Sequence, residues 1–352
     1  MKAVRIHDNE TASPNRYSAD NPAPPSALVL DSNVPIPQIT QTDEVLIRVH
    51  AATVTRDELT WPETYSGDRI PGHDFAGTVV AVSSDVKDRF NPGDEVYGVS
   101  LSEGKGSTWA EYAVVASDEV SLKPKLLDWA QAATVPMSAL TAWQALFDKA
   151  GIPPPDLNRS QKRGFQGGQS KGKLLITGAS GAVGAYLVQL AALAGLHTVA
   201  STTSNDRNRA FLMSLGANDA FEYKELEGMR EEYDIVIDTV GGTVLEQCWS
   251  YVKDDGKLIT IDSSSYDFVE NHRQKPFTTG KEKVQAVFFI VKPSVEELEQ
   301  LASALDQELL QVFVAQTLPL EEARQAYELA SARSGRRGKI VVTISRHNEP
   351  LC

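Results

Sequence analysis

Cysteine is nearly missing: Cys248 and Cys352 are the only two in 352 residues. Two thiols build neither a disulfide framework nor a thiolate metal lobe, so a reducing cytoplasmic setting is expected. Basic charge is in deficit, with 34 Lys and Arg against 47 Asp and Glu and a formal net charge of −13. A nucleic acid is therefore a poor partner. No apolar run approaches the roughly 20 residues of a membrane span, which argues against a membrane. The opening "MKAVRIHD" reads as a strand rather than a signal segment. What is present, 41% apolar and 23% charged residues, is ordinary globular composition. The length exceeds one compact core, so two domains are expected.

Periodicity divides the chain. Up to about residue 120, short β-type runs such as "VLIRVHAATV", "GTVVAV", "GDEVYGV" and "AEYAVV" alternate with loops such as "SPNRYSADNPAPPS". Beyond about residue 125 "WAQAATVPMSALTAWQALF" reads as helix, with Pro136 marking a break or second start. A polar stretch, 152–172, reads as a mobile surface insertion. Strand and helix patterns then alternate: "KLLITGA", "AVGAYLVQLAALAG", "HTVAST", "NRAFLMSLGA", "DIVIDTV", "KLITIDS", then "AVFFIV" and "SVEELEQLASALDQ". Such alternation predicts an α/β domain with a doubly wound parallel sheet. The closing segment, ending in "RGKIVVTI", needs a strand partner and is expected to return to the β domain. These readings give one domain of residues 1–123 and 311–352 and a second of 124–310.

The sharpest local signal is "LLITGASGAVGAYLVQLA", which sets Gly178, Gly181 and Gly184 between an apolar strand and a helix. That spacing permits a tight turn and close approach of backbone N–H groups to a pyrophosphate. The following strand then bears on the nucleotide. An NAD site favours a carboxylate at its end, to accept ribose hydroxyls. Here Thr202, Thr203 and Ser204 occupy that end, with Arg207 and Arg209 close behind. Hydroxyls and a guanidinium suit a 2′-phosphate, so NADPH is the expected coenzyme. Asp206 stands later, where it reads as a helix cap.

With these motifs the chain resembles the medium-chain dehydrogenase/reductase superfamily, in its zinc-free quinone oxidoreductase and enoyl or alkenal reductase branch. Also carrying the resemblance are "VHAATVTRDELTW", "IPGHDFAGTVVAV", "NPGDEVYGV", "STWAEYAVV", "AATVPMSALTAWQAL", "SLGANDAFEY", "YDIVIDTVGG" and "RGKIVV". It implies a GroES-like β domain holding both chain ends, a Rossmann domain, and an active site in the cleft between them. Zinc-dependent members carry a Cys before the "GH" turn, the turn's own His, and a later Cys or carboxylate. Here the first position falls near Thr55, and no cysteine precedes residue 248. His73 with Asp74 would make at most half a site, so no metal is expected.

Without a Lewis acid, reduction of an activated C=C or of a quinone is the chemistry that remains, with charge developing on an oxygen that hydrogen bonds hold. The family often has Asn-x-x-Asp where this chain reads Thr55-Arg56-Asp57-Glu58. Thr55 keeps a hydroxyl and is the expected polarising donor, with Trp61 and Tyr65 as pocket wall and Tyr65 as candidate proton donor. The resemblance further places Thr141 near the nicotinamide, and Ser180, Gly181, Ala182, Val183 and Gly184 on the pyrophosphate. It places Tyr223 near the adenosine phosphate and Val240 and Gly241 along the ribose and nicotinamide. It brings the backbone of Phe289 and Val291 to the nicotinamide amide. A homodimer is the family's habit. Two further readings share these motifs: an enoyl reductase acting on a synthase-borne acyl chain, and an NADPH-binding protein without turnover.

Overall fold

In the computed structural model the described residues are 1–8, 17–65, 69–101, 107–155, 157, 172–228, 230, 232–332 and 336–344. In chain order, β1 (Ala3–Ile6) and β2 (Leu28–Asp31) pair as an antiparallel ribbon. Next come β3 (Glu44–Thr53), β4 (Asp74–Val82), β5 (Glu95–Val99), β6 (Tyr112–Ala116) and β7 (Val120–Leu122). Helices α1 (Trp129–Ala133) and α2 (Pro136–Trp143) lead to β8 (Lys173–Ile176), α3 (Ala182–Leu193), β9 (His197–Thr202) and α4 (Asn205–Ser214). They are followed by β10 (Asp219–Glu222), α5 (Tyr223–Leu226), β11 (Tyr233–Asp238), α6 (Gly242–Tyr251), β12 (Val252–Thr260), α7 (Phe268–Arg273) and β13 (Gln285–Phe288). The chain closes through α8 (Val295–Asp306), β14 (Val314–Pro319), α9 (Ala323–Ser331) and β15 (Lys339–Thr343).

The chain divides into two compact units, Met1–Met137 with Pro293–Cys352, and Ser138–Lys292. The first holds a seven-stranded sheet of order β14-β15-β3-β4-β5-β7, with β6 on β3. β15 pairs antiparallel with β3, so the closing strand does return to the β domain. Its core gathers the alternate inward residues of β3 and β4 around Phe75 and Trp109. The second unit is an all-parallel six-stranded sheet of order β10-β9-β8-β11-β12-β13. Strand order reverses between β8 and β11, and such a switch point is where open α/β sheets take their ligands.

The structure corrects several boundaries. The division falls at 137/138 and 292/293 rather than at 123/124 and 310/311. α1, begun by the reciprocal Asp128–Gln131 capping box, packs on β3 and β4, and α8 packs on β7. Short helices with apolar stripes look alike in either domain, and packing alone assigns them. The helix expected through Phe147 passes into a π-helical turn, Gln144–Lys149. The strand expected at 286–291 ends at Phe288. Gln144 claims the segment beyond it: its side-chain amide donates to the Lys292 carbonyl (2.8 Å) and accepts the Lys292 amide (3.0 Å). Most of the insertion read at 152–172 lies outside the described residues.

Candidate functional site

In the second unit, the predicted cofactor residues gather at the carboxyl ends of the parallel strands. Leaving β8, the chain turns at Gly178 (φ +63°), where a Cβ would lie 2.2 Å from the Thr239 hydroxyl. At Gly184 a Cβ would stand 2.4 Å from the Gly178 carbonyl, so the helix reaches its strand only without a side chain there. α3 therefore starts directly above the turn. Its N-cap, Gly181, offers no capping side chain to the first-turn amides. Uncapped N–H groups at the positive end of a twelve-residue helix fit a pyrophosphate. These are the amides of the Ala182, Val183 and Gly184 stretch. Ser180 adds a hydroxyl 3.4 Å from Thr202 Oγ1.

Two predicted contacts are turned inward. Tyr223, first residue of α5, accepts the Gly178 amide at 2.9 Å and so braces the glycine turn, and burial pushes its phenol up to about 12. The amides of Val240 and Gly241 point at Asp238 (3.3 and 2.9 Å) rather than outward. Asp238 is fully buried and also accepts the hydroxyls of Thr177 (2.6 Å) and Thr260 (2.9 Å). One carboxylate thus ties the ends of β8, β11 and β12 at the switch point. Burial raises its pKa against the pull of those donors. Sequence reasoning passed over it, although an acid closing the apolar strand in "YDIVIDTVGG" is the signal. Phe289 is buried, with the Lys149 ammonium 5.4 Å from its ring centre, and Val291 is half-buried. Thr141 is buried on α2.

At the end of β9, Thr203 and Arg207 are exposed and Ser204 is half-exposed as the N-cap of α4. Arg209 is committed elsewhere, pairing with Asp219 at 2.8 Å and donating to the Ala220 carbonyl at 2.5 Å. Asp206 does not cap the helix. Glu222, at the end of β10, instead accepts the Asn205 amide at 2.9 Å and pairs with Lys224 at 2.8 Å. An acid therefore does approach this corner, from a strand whose proximity the linear sequence does not reveal.

In the first unit, the stretch after β3 forms a compact turn. Glu58 opens a 3-10 turn, Glu58–Thr60, and Asp57 before it is left-handed at φ +67°. Among the described residues the Thr55 hydroxyl meets the Met137 thioether alone, at 3.7 Å. Trp61 lies with its ring centre 5.4 Å from that of His73, and its buried indole N–H has no partner among the described residues. Tyr65 is reassigned. Its hydroxyl donates to the Leu59 carbonyl (2.5 Å) and accepts the Ala23 amide (2.7 Å). That geometry makes it a buttress of the loop rather than a proton donor.

His73 donates through Nδ1 to the Ser100 carbonyl (2.7 Å), while Nε2 stands 3.7 Å from Glu58 Oε1. Its neighbour Asp74 accepts the Met137 amide (2.7 Å), the Thr53 hydroxyl (2.6 Å) and the buried ammonium of Lys339. The acid of the "GHD" turn is thus spent on joining β3, β4 and β15 to the start of α2. Among the described residues no three His, Cys, Asp or Glu side chains gather as a metal site. Thiolates, which zinc favours, are lacking around His73, and both acids beside it have other engagements.

Comparison with known proteins gives this geometry its class. The family described as "Alcohol dehydrogenase GroES-like domain" matches residues 41–125, and "Zinc-binding dehydrogenase" matches 215–342. The chain is 35% identical over 341 residues to a "Probable zinc-binding oxidoreductase, mitochondrial" of Arthroderma benhamiae, covering 93% of this chain and 96% of that one. It is 35% identical over 248 residues to the "2-methylene-furan-3-one reductase" of Solanum lycopersicum, covering 66% of this chain and 58% of that one. The solved quinone oxidoreductase of Coxiella burnetii superposes with a TM-score of 0.79 at 25% identity, over 98% of this chain and 99% of that one. The chain belongs to the medium-chain dehydrogenase/reductase superfamily, in its quinone oxidoreductase branch. It is an oxidoreductase of the nicotinamide-dependent kind.

Proposed function

We propose that the protein is a zinc-independent, NADPH-dependent reductase of quinones or of the C=C bond of α,β-unsaturated carbonyls, working as a soluble enzyme in a reducing compartment. The observation that carries the reading is Thr55: a hydroxyl held on a firm turn, with only a thioether as its partner among the described residues. Such a donor suits an oxygen on which charge develops during reduction. When bound, the nicotinamide supplies the hydride. The residues of this chain do the rest. The α3 amides and Ser180 bind the pyrophosphate, and Thr203, Ser204 and Arg207 take the 2′-phosphate. Tyr223 and Asp238 keep the turns around them in place. Thr55 polarises the substrate oxygen beside the wall formed by Trp61.

Zinc chemistry does not suit the donors present, and no step runs through a metal. His73 is held at Nδ1 by Ser100 and faces Glu58 at Nε2. Oxidation of NADPH and of NADH with a panel of quinones, enones and enoyl thioesters tests the reading. Turnover of quinones or enones supports it. Turnover confined to enoyl thioesters transfers the enzyme to acyl-chain reduction, and coenzyme binding without any turnover makes it a non-catalytic protein. One equivalent of zinc per chain, lost together with activity on chelation, overturns the metal-free mechanism.

A further inference from the structure

The role proposed for Thr55 rests on a turn that one buried residue holds together. Glu58 is wholly inaccessible to solvent. Its backbone amide donates to the Thr55 carbonyl at 3.3 Å, and the Thr55 backbone amide faces its carboxylate closely enough to favour the charged form. Oxygen Oε1 also accepts the Gly72 amide, which fastens the turn to the segment entering β4, and lies 3.7 Å from His73 Nε2. Oε2 is buried with no partner among the described residues. The cost of burying this acid is visible: desolvation raises its pKa although His73, Lys339 and two backbone amides pull the other way. Burying a carboxylate here carries a desolvation cost, and its amide contacts offset part of it, since an apolar residue would leave the Gly72 amide without its acceptor. The clamp also spans Asp57, whose left-handed backbone a side chain rarely adopts unaided.

We infer that Glu58 is the positioning residue for Thr55: its backbone amide holds the Thr55 carbonyl while its carboxylate anchors the turn to Gly72, so that the donor is aimed before the substrate arrives. This inference rests on the reading of Thr55 as the polarising donor. Preorganisation of this kind matters because a displacement of about 1 Å at a reacting group costs on the order of 100-fold in rate. The unpaired Oε2 is consistent with an acid retained for its contacts to amides rather than for an ion pair.

A double-mutant cycle between Glu58 and Thr55 tests it, with NADPH and the best enone or quinone as substrates. Glu58→Ala is expected to lower kcat by about 10- to 100-fold in the native background. In a Thr55→Val background it should lower kcat less than about twofold, since nothing remains to be aimed. Glu58→Gln keeps an acceptor oxygen for both amides and should restore most of kcat. Coenzyme affinity should stay unchanged throughout. Should Glu58→Ala not fold, Glu58→Asp, which withdraws the carboxyl by one methylene, runs the same cycle. Amide hydrogen exchange supplies a readout independent of turnover: Thr55 should exchange at least about tenfold faster in Glu58→Ala or Glu58→Asp than in the native chain. Additive losses in the cycle, or unaltered exchange at Thr55, overturn the inference. If no quinone or enone is reduced at all, the proposed function fails by itself, and hydrogen exchange alone then decides whether the clamp exists.

Discussion

Thr55 and Tyr65 stand ten residues apart and have opposite prospects. Among the described residues the Thr55 hydroxyl meets only a sulfur, at 3.7 Å, and sulfur is a weak acceptor. Thr55→Val keeps the side chain's shape and deletes the donor. Losing a hydrogen bond to an oxygen that gains charge costs about 1–3 kcal/mol at the transition state, or roughly 5- to 150-fold in kcat. NADPH affinity should hardly move. Steady-state kinetics with several enones and quinones checks this, and unchanged kcat across them removes Thr55 from the mechanism. Tyr65→Phe deletes a hydroxyl already engaged at both ends. It leaves the Leu59 carbonyl and the Ala23 amide short of a partner, so about 1–3 kcal/mol of stability should be lost. The melting temperature is expected to fall while kcat per folded molecule and its solvent isotope effect stay as they were. A large drop in kcat at full folding would restore Tyr65 as a proton donor. Sequence could name both residues but not tell them apart, because what separates them is the carbonyl and amide that lie within reach.

At the scale of single elements, legibility followed locality. The β8–α3 turn was readable because its constraint is written in three glycines within seven residues. The cap of α4 was not, because its partner Glu222 arrives from β10, seventeen positions on. The Asp238 and Asp74 ties escaped for the same reason: Asp238 joins segments 22 and 61 residues away, and Asp74 segments 21 to 265 residues away. The α4 corner now decides coenzyme choice. Arg209 pairs with Asp219, and Arg207, exposed near the end of β9, is the guanidinium expected to meet a 2′-phosphate. NADPH should be preferred over NADH by about tenfold, less at high ionic strength because salt screens an exposed charge. Arg207→Ala should erase most of that preference by weakening NADPH alone. Glu222→Gln should widen it, since a carboxylate at the α4 N-terminus repels a phosphate there. Coenzyme dissociation constants by fluorescence titration measure all three proteins. Equal affinity of the native chain for both coenzymes would remove the 2′-phosphate assignment.

The two units of the whole molecule carry different proton chemistry, and acid should therefore act on them unequally. In the unit of residues 138–292, His272 accepts the Trp249 indole N–H at 3.0 Å through Nδ1, which requires that nitrogen unprotonated. Burial holds the pKa of His272 below its usual 6.5, with Lys275 adding to that and Glu246 and Asp267 opposing it. The unfolded chain thus binds this proton more readily than the folded one. The stability concerned is complete above pH 6.5 and is lost as pH falls through the depressed folded value. Asp234, paired with Lys253 and held below its usual value, loses stability in the same direction at still lower pH. The reverse sign belongs to Asp238 in this same unit, where it opposes the His272 effect, and in the other unit to Glu58. The pKa of Glu58 is raised by burial above 4.5, so its contribution is complete below that value and is lost as pH rises through the folded one. Lowering pH from 7.5 to 5.5 should accordingly lower the unfolding temperature of the 138–292 unit more than that of its companion. Calorimetry at the two pH values reads both transitions, since two-unit chains need not unfold in one step. The fluorescence of Trp249, one of five tryptophans, isolated by Trp249→Phe comparison, assigns the acid-sensitive transition. His272→Gln keeps an acceptor for the indole and removes the titration, so it should flatten that shift. An acid response unchanged by His272→Gln, or one led by the other unit, would remove His272 as its cause.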